Sequence, residues 1–476
     1  MSYGDWEPVI GLEIHAQLNT NSKIFSSDSA QFGGGDNENI SAVSLGLPGT
    51  LPVLNEGVVE RSIKIGLALN CEINLKSIFA RKNYFYPDLP KGYQISQFEE
   101  PICKQGWIEV PVEGELKKIG ITRAHMEEDA GKSTHHGNHS LVNLNRAGVP
   151  LLEIVSDPVI HSPSEAAEYA RSIRSILRYL EVCDGNLEEG SMRCDCNVSV
   201  RKKGTDELNT RVEIKNLNSF RFIEKAVDFE IRRQIDANEI GEKLVQETRL
   251  YDSTKNKTFT MRTKEEADDY RYFPDPDLLP VILEQSDVDK IKSELPELPQ
   301  VKAKRFQDSY KLPEYDSLIL VQEKALAEYF EKAAAVCKNA KLASNWVMSD
   351  VLRELKGSDS NVEDIPLPAA DLGELLLLIE EGTISGKIAK DVFTEMWTNG
   401  GKAADIVEKK GLKQITDTSA IEAIVDAVLA RSESQVNEYK SGKQKVFGFF
   451  VGQVMKETKG QASPELVNKL LKEKLK

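Results

Sequence analysis

Three short segments of the chain alternate polar and apolar residues with a period of two: 11–18, 193–201 and 211–215. Successive side chains of a strand point to opposite faces, so each segment is predicted to be a strand with one polar face and one apolar face. The polar positions are Glu13, His15 and Gln17 in the first segment, Arg193, Asp195, Asn197 and Arg201 in the second, and Glu213 and Lys215 in the third. Such strands form either an ordinary half-solvated sheet or a site for divalent cations and phosphate oxygens, and their mixed charge favours the site.

The rest of the pattern divides the chain into three predicted domains. Residues 1–293 are rich in alternating segments and in Gly and Pro turns, with one helix opened by a capping box at Ser162 and a second near 217–238. Closely spaced prolines then mark a linker, and helical periodicity continues through 294–407 and 408–476. The predicted fold class is therefore α+β, with an antiparallel-rich sheet domain followed by a helical domain and a helical tail.

Composition excludes several classes of protein. The 476 residues are 40% hydrophobic and 29% charged, which is typical of globular domains, and no apolar run is long enough to span a bilayer. The N-terminus lacks the basic and apolar regions of a secretory signal. Six cysteines without a Cys-x-x-Cys pair favour a cytoplasmic, reducing location over a disulfide framework or a zinc ribbon. Cys194 and Cys196 alternate with valines and are predicted to lie in the core.

Charge is unevenly distributed along the chain. The net charge is −15, whereas residues 440–476 contain nine lysines and three glutamates, a balance of +6. A basic end on an acidic body is typical of a local contact with a phosphate backbone, although charge alone favours a solvated lysine-rich helix end. The candidate residues for such a contact are Lys440, Lys443, Lys445, Lys456 and Lys459.

The polar strand faces contain a candidate ligand set for Mg²⁺ or Mn²⁺. Glu13 and His15 share one face, Asp195 and Glu213 lie on two other strands, and 125–129 (His-Met-Glu-Glu-Asp) adds an acidic cluster. Carboxylate oxygens with one imidazole nitrogen suit these cations. Alternation does not decide whether Glu127 or its neighbour Glu128 faces the site, because the surrounding pattern is polar on both faces.

A bound nucleotide would need metal ions and side-chain cations. The segment Gly131-Lys132-Ser133 resembles the end of a P-loop, but Met126 occupies the position of the first glycine. The candidate cations are Lys132, Arg193, Lys215, Arg249, Arg262 and Arg271. Of these, Arg193 and Lys215 share faces with acidic residues.

Two aromatic segments, 83–91 and 268–277, join Tyr and Phe to Pro-Asp. The first contains Tyr84 and Tyr86. Such rings either stack on an adenine or an unpaired base, or close the end of a sheet beneath a proline loop. The sequence has no cysteine in a Gly-x-Cys-x-Gly setting and no Gly/Ser-rich run of the amidase type. It thus lacks an evident nucleophile for releasing ammonia.

Long motifs along the whole chain resemble the GatB family, the B subunits of the aspartyl/glutamyl-tRNA amidotransferases. They are VIGLEIHAQL at 9–18, RKNYFYPDLPKGYQISQ at 81–97, GITRAHMEEDAGKS at 120–133, NRAGVPLLEIVSDP at 145–158, LEEGSMRCDCNVSVR at 187–201, EIKNLNSF at 213–220, DDYRYFPDPDL at 268–278 and KVFGFFVGQVMKETKGQASPELV at 445–467. The resemblance implies an N-terminal domain like the catalytic sheet of glutamine synthetase, then a helical domain and a YqeY-like tail.

The resemblance also implies an activity and its partners. ATP phosphorylates the side-chain carboxylate of Glu or Asp misacylated onto tRNA, and ammonia displaces the phosphate. The ammonia comes from the glutaminase, which is the A subunit of the heterotrimer, while the small C subunit braces the complex. Glu13, His15 and Glu128 match the family's metal-binding positions, and Asp195 and Glu213 complete the acidic lining. No zinc is expected, because the paired cysteines of some relatives are absent.

The motifs leave a second function and two tRNA substrates as alternatives. The alternative function is a non-catalytic tRNA-binding scaffold with a structural metal. The sequence also does not distinguish Glu-tRNA(Gln) from Asp-tRNA(Asn) as the substrate.

Overall fold

The computed structural model describes residues 3–263, 270–358, 362–414, 418–458 and 460–475. The chain forms two compact units, Met1–Val301 and Lys302–Lys476. The strands are β1 (Trp6–Gln17), β2 (Glu72–Ile73), β3 (Lys76–Ser77), β4 (Ala80–Asn83), β5 (Tyr93–Ser96), β6 (Cys103–Val112), β7 (Glu115–Glu128), β8 (Lys132–His136), β9 (His139–Asn143), β10 (Pro150–Ser156), β11 (Met192–Lys202), β12 (Val212–Lys215), β13 (Glu247–Asp252), β14 (Lys257–Thr263), β15 (Phe273–Pro274) and β16 (Val281–Ile282).

A nine-stranded sheet organises the first unit, with strand order β14-β13-β12-β11-β1-β10-β7-β6-β2. All neighbouring strands in it are antiparallel except β12 and β13. The connection between these two parallel strands contains the helix Phe220–Glu239. A parallel pair needs such a crossover, since a tight turn would reverse the chain. The α+β prediction is confirmed.

The helices account for most of the rest of the chain. They are α1 (Glu56–Ala68), α2 (Pro163–Tyr179), α3 (Phe220–Glu239), α4 (Gln285–Ser293), α5 (Pro299–Tyr310), α6 (Glu314–Leu320), α7 (Lys324–Cys337), α8 (Ala340–Trp346), α9 (Leu352–Ser358), α10 (Ala369–Glu380), α11 (Gly386–Asn399), α12 (Ala403–Lys409), α13 (Thr418–Ala430), α14 (Glu433–Lys440), α15 (Phe447–Glu457) and α16 (Pro464–Lys474). A π-helical turn, Val347–Val351, joins α8 to α9.

The predicted capping box at the start of α2 is present. Ser162 Oγ accepts a hydrogen bond from the backbone N–H of Glu165, and Glu165 in turn accepts one from the N–H of His161. The first bond satisfies a donor that the first helical turn leaves unpaired, and the second holds the residue that precedes the N-cap. The helix is thereby fixed at the point where it begins to cover the sheet.

The apolar faces of the polar–apolar strands form the core of the first unit. Leu12, Ile14, Cys196 and Ile214 are at most 1% exposed. They belong to one apolar cluster that also includes buried residues of α1, α2 and α3. Because helices cover this face, the polar residues of the same strands are left on the opposite face of the sheet.

All six cysteines are buried free thiols, and the predicted core position of Cys194 and Cys196 is confirmed. Cys194 and Cys196 lie in the core at 3% and 0% exposure. The hydrogen bond with Cys196, together with burial, keeps the pKa of Cys194 well above its usual value. Within the described residues, no helix combines the length and the apolar character that crossing a membrane requires.

The second unit contains two separate apolar clusters. One is formed by helices α5 to α12 and the other by α13, α15 and α16. The predicted boundary at 407/408 falls inside α12, which belongs to the first cluster. The predicted boundary at 293/294 falls eight residues before the end of the first unit. The three domain ranges remain predictions.

Close backbone approach at Gly106 gives a stability prediction. A Cβ at this position would lie 2.4 Å from Cys71 Sγ and 2.7 Å from the Leu69 carbonyl oxygen. Since part of the obstacle is backbone, Gly106→Ala is expected to lower the free energy of unfolding by about 1–3 kcal/mol. Gly11→Ala is the matched control, because its Cβ would meet no atom closer than 3.8 Å. Urea unfolding of both variants checks the difference, and equal stabilities would contradict it.

Candidate functional site

A pocket of about 480 Å³ opens on the polar face of the nine-stranded sheet. Residues of six neighbouring strands and of the short sheet β15-β4-β5 surround it. The lining residues are Glu13, His15, Lys82, Gln97, Phe98, Arg123, His125, Glu127, Glu153, Asp195, Arg211, Glu213, Lys215, Gln246, Thr248, Tyr270 and Tyr272. The three polar strand faces predicted from the sequence therefore meet in one site.

One group of ligand atoms centres on His15. Its Nε2 lies 3.6 Å from Glu127 Oε1 and 3.4 Å from Glu153 Oε2. The sheet register creates this group, because His15 is paired with Glu153 and Glu153 with His125 on the next strand. The ligand atoms of His15, Glu127 and Glu153 all lie within 4.8 Å of one another, so a single cation can reach all three.

A second group lies beside the first on β1, β11 and β12. Glu13, Asp195 and Glu213 also place ligand atoms within 4.8 Å of one another. Neighbouring side chains orient these carboxylates: Asn197 Nδ2 donates to Glu13 at 2.8 Å, and Thr248 Oγ1 donates to Glu213 at 2.8 Å. The donor set is three carboxylates, which suits a hard cation such as Mg²⁺ or Mn²⁺.

Two cations offset the charge of the acidic groups. Lys215 Nζ contacts Asp195 and lies 3.4 Å from Glu213. Burial lowers the pKa of Lys215, but the charges of Asp195 and Glu213 outweigh it and raise the pKa overall. Burial also lowers the pKa of Lys82, but Tyr272 and the two acids of the first group outweigh it and raise the pKa. Both lysines therefore stay charged at neutral pH.

The two histidines of the first group differ in protonation. Burial lowers the pKa of His125 to about 4, against the charge of Glu153, so its ring is neutral at pH 7. Burial also disfavours the charge on His15, but the hydrogen bond and charge of Glu153 and the charge of Glu127 raise its pKa to about 9. Without a cation in the group, His15 therefore carries the positive charge.

The raised pKa of His15 predicts a pH-dependent stability. For a histidine whose folded-state pKa exceeds its ordinary value of 6.5, the stabilisation is complete below pH 6.5 and is lost as the pH rises through about 9. In metal-free buffer, we expect wild-type stability to fall over this window more than that of His15→Asn. Urea unfolding with a chelator at closely spaced pH values measures this, and parallel curves for the two proteins would contradict it.

The structure corrects the predicted ligand Glu128. Its carboxylate faces away from the pocket, where it accepts hydrogen bonds from Lys91 Nζ at 2.5 Å and from the Ile95 N–H at 2.8 Å. Glu127 takes the place expected for Glu128. The physical reason is a register shift between β7 and β10 at Val155/Ser156. The apolar core residues of β7 are odd-numbered before the shift, at Ile119 and Ile121, and even-numbered after it, at Ala124 and Met126. The odd positions 125 and 127 therefore face the pocket.

Two predicted phosphate-binding cations lie elsewhere. Lys132 is exposed on the separate hairpin β8-β9. Arg249 points to the helix-covered face, where it contacts Glu247 at 2.7 Å and Glu230 of α3 at 3.5 Å. The prediction for Arg249 is wrong because side chains alternate along β13. Thr248, the residue before Arg249, is the one whose side chain reaches the site.

The remaining cofactor candidates, Arg193, Tyr84 and Tyr86, are not among the residues that line the pocket. Arg193 is paired with Asp129 at 3.0 Å. Burial lowers the pKa of Arg193, but the Asp129 carboxylate outweighs burial, so the pKa is raised overall. Tyr84 and Tyr86 do not line the pocket, but the ring of Tyr84 lies 6.1 Å from that of Tyr270, which does. Tyr272 stacks on Phe98 with ring centroids 4.2 Å apart. The aromatic surface of the pocket is thus Phe98, Tyr270 and Tyr272.

Sequence reasoning missed several lining residues. Glu153 is the single charged residue of the apolar strand β10, and this isolation was the available signal. His125 was visible only as part of an acidic cluster. Lys82 and Arg123 gave no signal, because long-range pairing alone brings them to the pocket.

The predicted tRNA-binding lysines lie on the second unit. Lys440 ends α14, Lys445 lies in the short helical turn before α15, and Lys456 lies in the last turn of α15. Lys443 is paired with Glu438 at 3.2 Å. Lys459 falls outside the described residues.

Comparison with known proteins agrees with the motifs. A family model described as the GatB/GatE catalytic domain matches residues 8–289, and one described as a GatB domain matches residues 328–475. Three relatives are each named as the B subunit of an aspartyl/glutamyl-tRNA(Asn/Gln) amidotransferase. The relative from Bdellovibrio bacteriovorus is 61% identical over 100% of this chain and 100% of its own length. The relative from Thioalkalivibrio sulfidiphilus is 56% identical over 99% of this chain and 100% of its own length. The relative from Trichlorobacter lovleyi is 56% identical over 99% of this chain and 99% of its own length.

Proposed function

The chain belongs to the family of the GatB/GatE catalytic domain, and from this premise we propose that it is the part of a tRNA-dependent amidotransferase that activates and amidates the misacylated amino acid. The substrates are ATP and Glu or Asp esterified to tRNA, and the product is the corresponding amide. The observation that carries the proposal is the pair of three-ligand groups, His15–Glu127–Glu153 and Glu13–Asp195–Glu213, side by side in one pocket.

The donor sets fit two divalent cations of the Mg²⁺ or Mn²⁺ class. Five carboxylates and one imidazole in one pocket are costly unless cations neutralise them. Bound there, such ions screen the charge of phosphoryl and carboxylate oxygens. Asn197 and Thr248 keep two of the carboxylates oriented through their hydrogen bonds, which supports a site built in advance of binding.

The chemistry requires this neutralisation. A carboxylate is a poor acyl donor, because its leaving group would be oxide. Attack of a carboxylate oxygen on the γ-phosphorus of ATP forms an acyl phosphate and releases ADP. Ammonia then attacks the acyl carbon, phosphate leaves, and the nitrogen loses a proton to give the amide. Both ATP and the carboxylate are anionic, so their encounter is opposed by repulsion unless positive charge surrounds them.

Lys82 and Lys215 are the cations of this chain best placed to assist. Each stays charged beside one acidic group, Lys82 beside the first and Lys215 beside the second. Lys215 already contacts Asp195 and Glu213, so its main effect is to hold the two carboxylates in place. Lys82 lies under Tyr270, with its Nζ 4.7 Å from the ring centroid, and offers its charge to the pocket.

We assign the adenine of ATP to the aromatic surface Phe98–Tyr270–Tyr272. These rings lie on the side of the pocket next to β7, since β5 is joined to that strand by the hydrogen bond from Gln94 Nε2 to the Glu128 carbonyl. A base stacks favourably on such rings, and every base has a suitable face. The adjacent group His15–Glu127–Glu153 then receives the phosphates.

Partner proteins complete the reaction in this proposal. A glutaminase supplies ammonia as the A subunit of the complex, a small third protein, the C subunit, completes the heterotrimer, and the lysine-rich end of the chain contacts the tRNA body. The absence of an amidase-type serine run or a cysteine nucleophile motif in the sequence supports a separate source of ammonia.

The division of labour gives a direct prediction. The purified chain is expected not to hydrolyse glutamine. With ammonium, ATP, Mg²⁺ and misacylated tRNA, the heterotrimer reconstituted with its two partner proteins should form amidated aminoacyl-tRNA together with one ADP per product. Chromatography of the deacylated amino acid and an ADP assay measure both quantities.

Two outcomes would count against the proposal. Glutamine hydrolysis by the isolated chain would place the ammonia-releasing step here. Amidation without consumption of ATP would remove the phosphorylation step. Assays of Glu-tRNA(Gln) and Asp-tRNA(Asn) in parallel identify which substrate is used.

A further inference from the structure

Arg211 differs from the other cations of the pocket. It lies immediately before β12 and lines the pocket, yet its side chain is exposed. No hydrogen bond or ion pair of this side chain occurs among the described residues. The other cations have partners: Lys215 contacts Asp195 and Glu213, and Arg123 Nε donates to His125 Nδ1 at 3.4 Å. Lys82 is enclosed by Tyr270, Tyr272 and the first acidic group.

The position of Arg211 separates it from the proposed ATP subsite. The aromatic surface lies next to β7, and Arg211 next to β12, four strand spacings away in the sheet. Neighbouring strands are about 4.8 Å apart, so the two sides are separated by about 19 Å. The phosphates of a nucleotide must reach the acidic groups between them. A guanidinium on the exposed far rim is available to a second anion that arrives from solvent.

We propose that Arg211 binds a phosphodiester of the single-stranded acceptor end of the tRNA and so positions the esterified amino acid over the second acidic group, Glu13–Asp195–Glu213. This inference rests on the proposed function. A guanidinium suits it, because its planar donors match phosphate oxygens. The contact carries no information about the base, so it sets affinity and position and leaves the choice of tRNA to other contacts.

Steady-state kinetics of the reconstituted complex with saturating ammonium test the inference. Arg211→Ala is expected to raise the KM for misacylated tRNA about tenfold, with the KM for ATP unchanged. Arg211→Lys should recover part of the loss, because it keeps the charge but not the planar donors. The matched control is Arg221→Ala, an exposed arginine at the start of α3 that does not line the pocket.

A binding measurement locates the contact without catalysis. The complex is titrated with full-length tRNA and with the same tRNA lacking its unpaired 3′ nucleotides. Arg211→Ala should weaken binding of the full-length tRNA and reduce its salt dependence by about one ion, with no effect on the truncated tRNA. Tyr272→Ala should show the converse kinetic behaviour, a raised KM for ATP alone, with Tyr272→Phe close to wild type.

The outcomes distinguish failure of the role proposed for Arg211 from failure of the proposed function. A raised KM for ATP in Arg211→Ala would assign the residue to the nucleotide phosphates and overturn the proposal. Equal weakening for full-length and truncated tRNA would place the contact away from the acceptor end and also overturn it, as would no change in either assay. A wild-type complex that binds tRNA but shows no ATP-dependent amidation would instead contradict the proposed function.

Discussion

Glu127→Gln is expected to lower the rate of ATP-dependent amidation by a factor of about 10³ or more, because it removes a charged ligand from the group His15–Glu127–Glu153. Glu127 is 3% exposed, and its Oε1 lies 3.6 Å from His15 Nε2. An amide of the same size keeps the packing but not the charge. The variant should therefore fold, bind tRNA, and lose affinity for Mn²⁺ in a paramagnetic titration.

Glu128→Gln is the matched comparison, since it changes the adjacent residue in the same way. Glu128 is equally buried but contacts Lys91 and Ile95 on the other face of β7. Loss of its charge leaves Lys91 without its carboxylate, so a loss of stability of about 1–3 kcal/mol is expected, whereas Mn²⁺ binding should stay unchanged. Assays with ammonium as the nitrogen donor isolate the chemistry of the pocket. Equal loss of Mn²⁺ affinity in both variants would contradict the assignment.

The variants Glu127→Gln and Glu128→Gln also distinguish a catalytic role of the bound cations from a structural role. If the chain were a tRNA-binding scaffold, Glu127→Gln would weaken folding or tRNA binding together with Mn²⁺ binding, and ATP would not be consumed by the wild type. Retained tRNA binding with lost amidation supports the catalytic function.

Replacing Lys440, Lys443, Lys445 and Lys456 together by Gln is expected to raise the KM for tRNA by about 10- to 100-fold at physiological salt. Each contact of a lysine with a phosphate releases counterions. In a plot of the logarithm of tRNA affinity against the logarithm of salt concentration, the slope of the variant should therefore be shallower than that of the wild type by up to about three. Since phosphate contacts of this kind supply affinity and not chemistry, kcat at saturating tRNA should stay close to wild type.

The control for the lysine variant is the KM for ATP, which the second unit is not expected to affect. Lys443 already pairs with Glu438, so its single replacement should have the smallest effect of the four. Deletion of residues 411–476 should reproduce the loss of tRNA affinity and leave glutamine hydrolysis by the glutaminase partner unchanged in the absence of tRNA. Unchanged binding across a salt titration would show that this end of the chain has another role.

Much of the site could be predicted, because its residues lie on strands whose periodicity is regular. β1 and β11 alternate without interruption, so alternation alone places Glu13, His15 and Asp195 on one polar face, and all three line the pocket. Glu213 and Lys215 followed in the same way on β12. Whether a residue number is odd or even decides which face its side chain takes on these strands. A strand that is buried on one face must present every second side chain to the other face.

The errors occur where parity changes or where the partner strand is distant in sequence. A register shift in β7 moves the core from odd to even positions, and a local pattern with polar residues on both sides does not reveal it. For Arg249, the choice between the two faces of β13 depends on α3, which covers one of them. The position of Lys132 follows from a hairpin that is separate from the main sheet.

Local sequence was therefore sufficient for the α+β class, the polar strand faces, the family motifs and the burial of Cys194 and Cys196, because each depends on periodicity or on a run of identifiable residues. Long-range pairing determined the ligand groups. His15 meets Glu153 through antiparallel register across 138 positions, and Glu13 meets Asp195 across 182. Register depends on the whole sheet and on the helices that bury one of its faces, so only the folded chain shows that Glu127 joins His15 and Glu153.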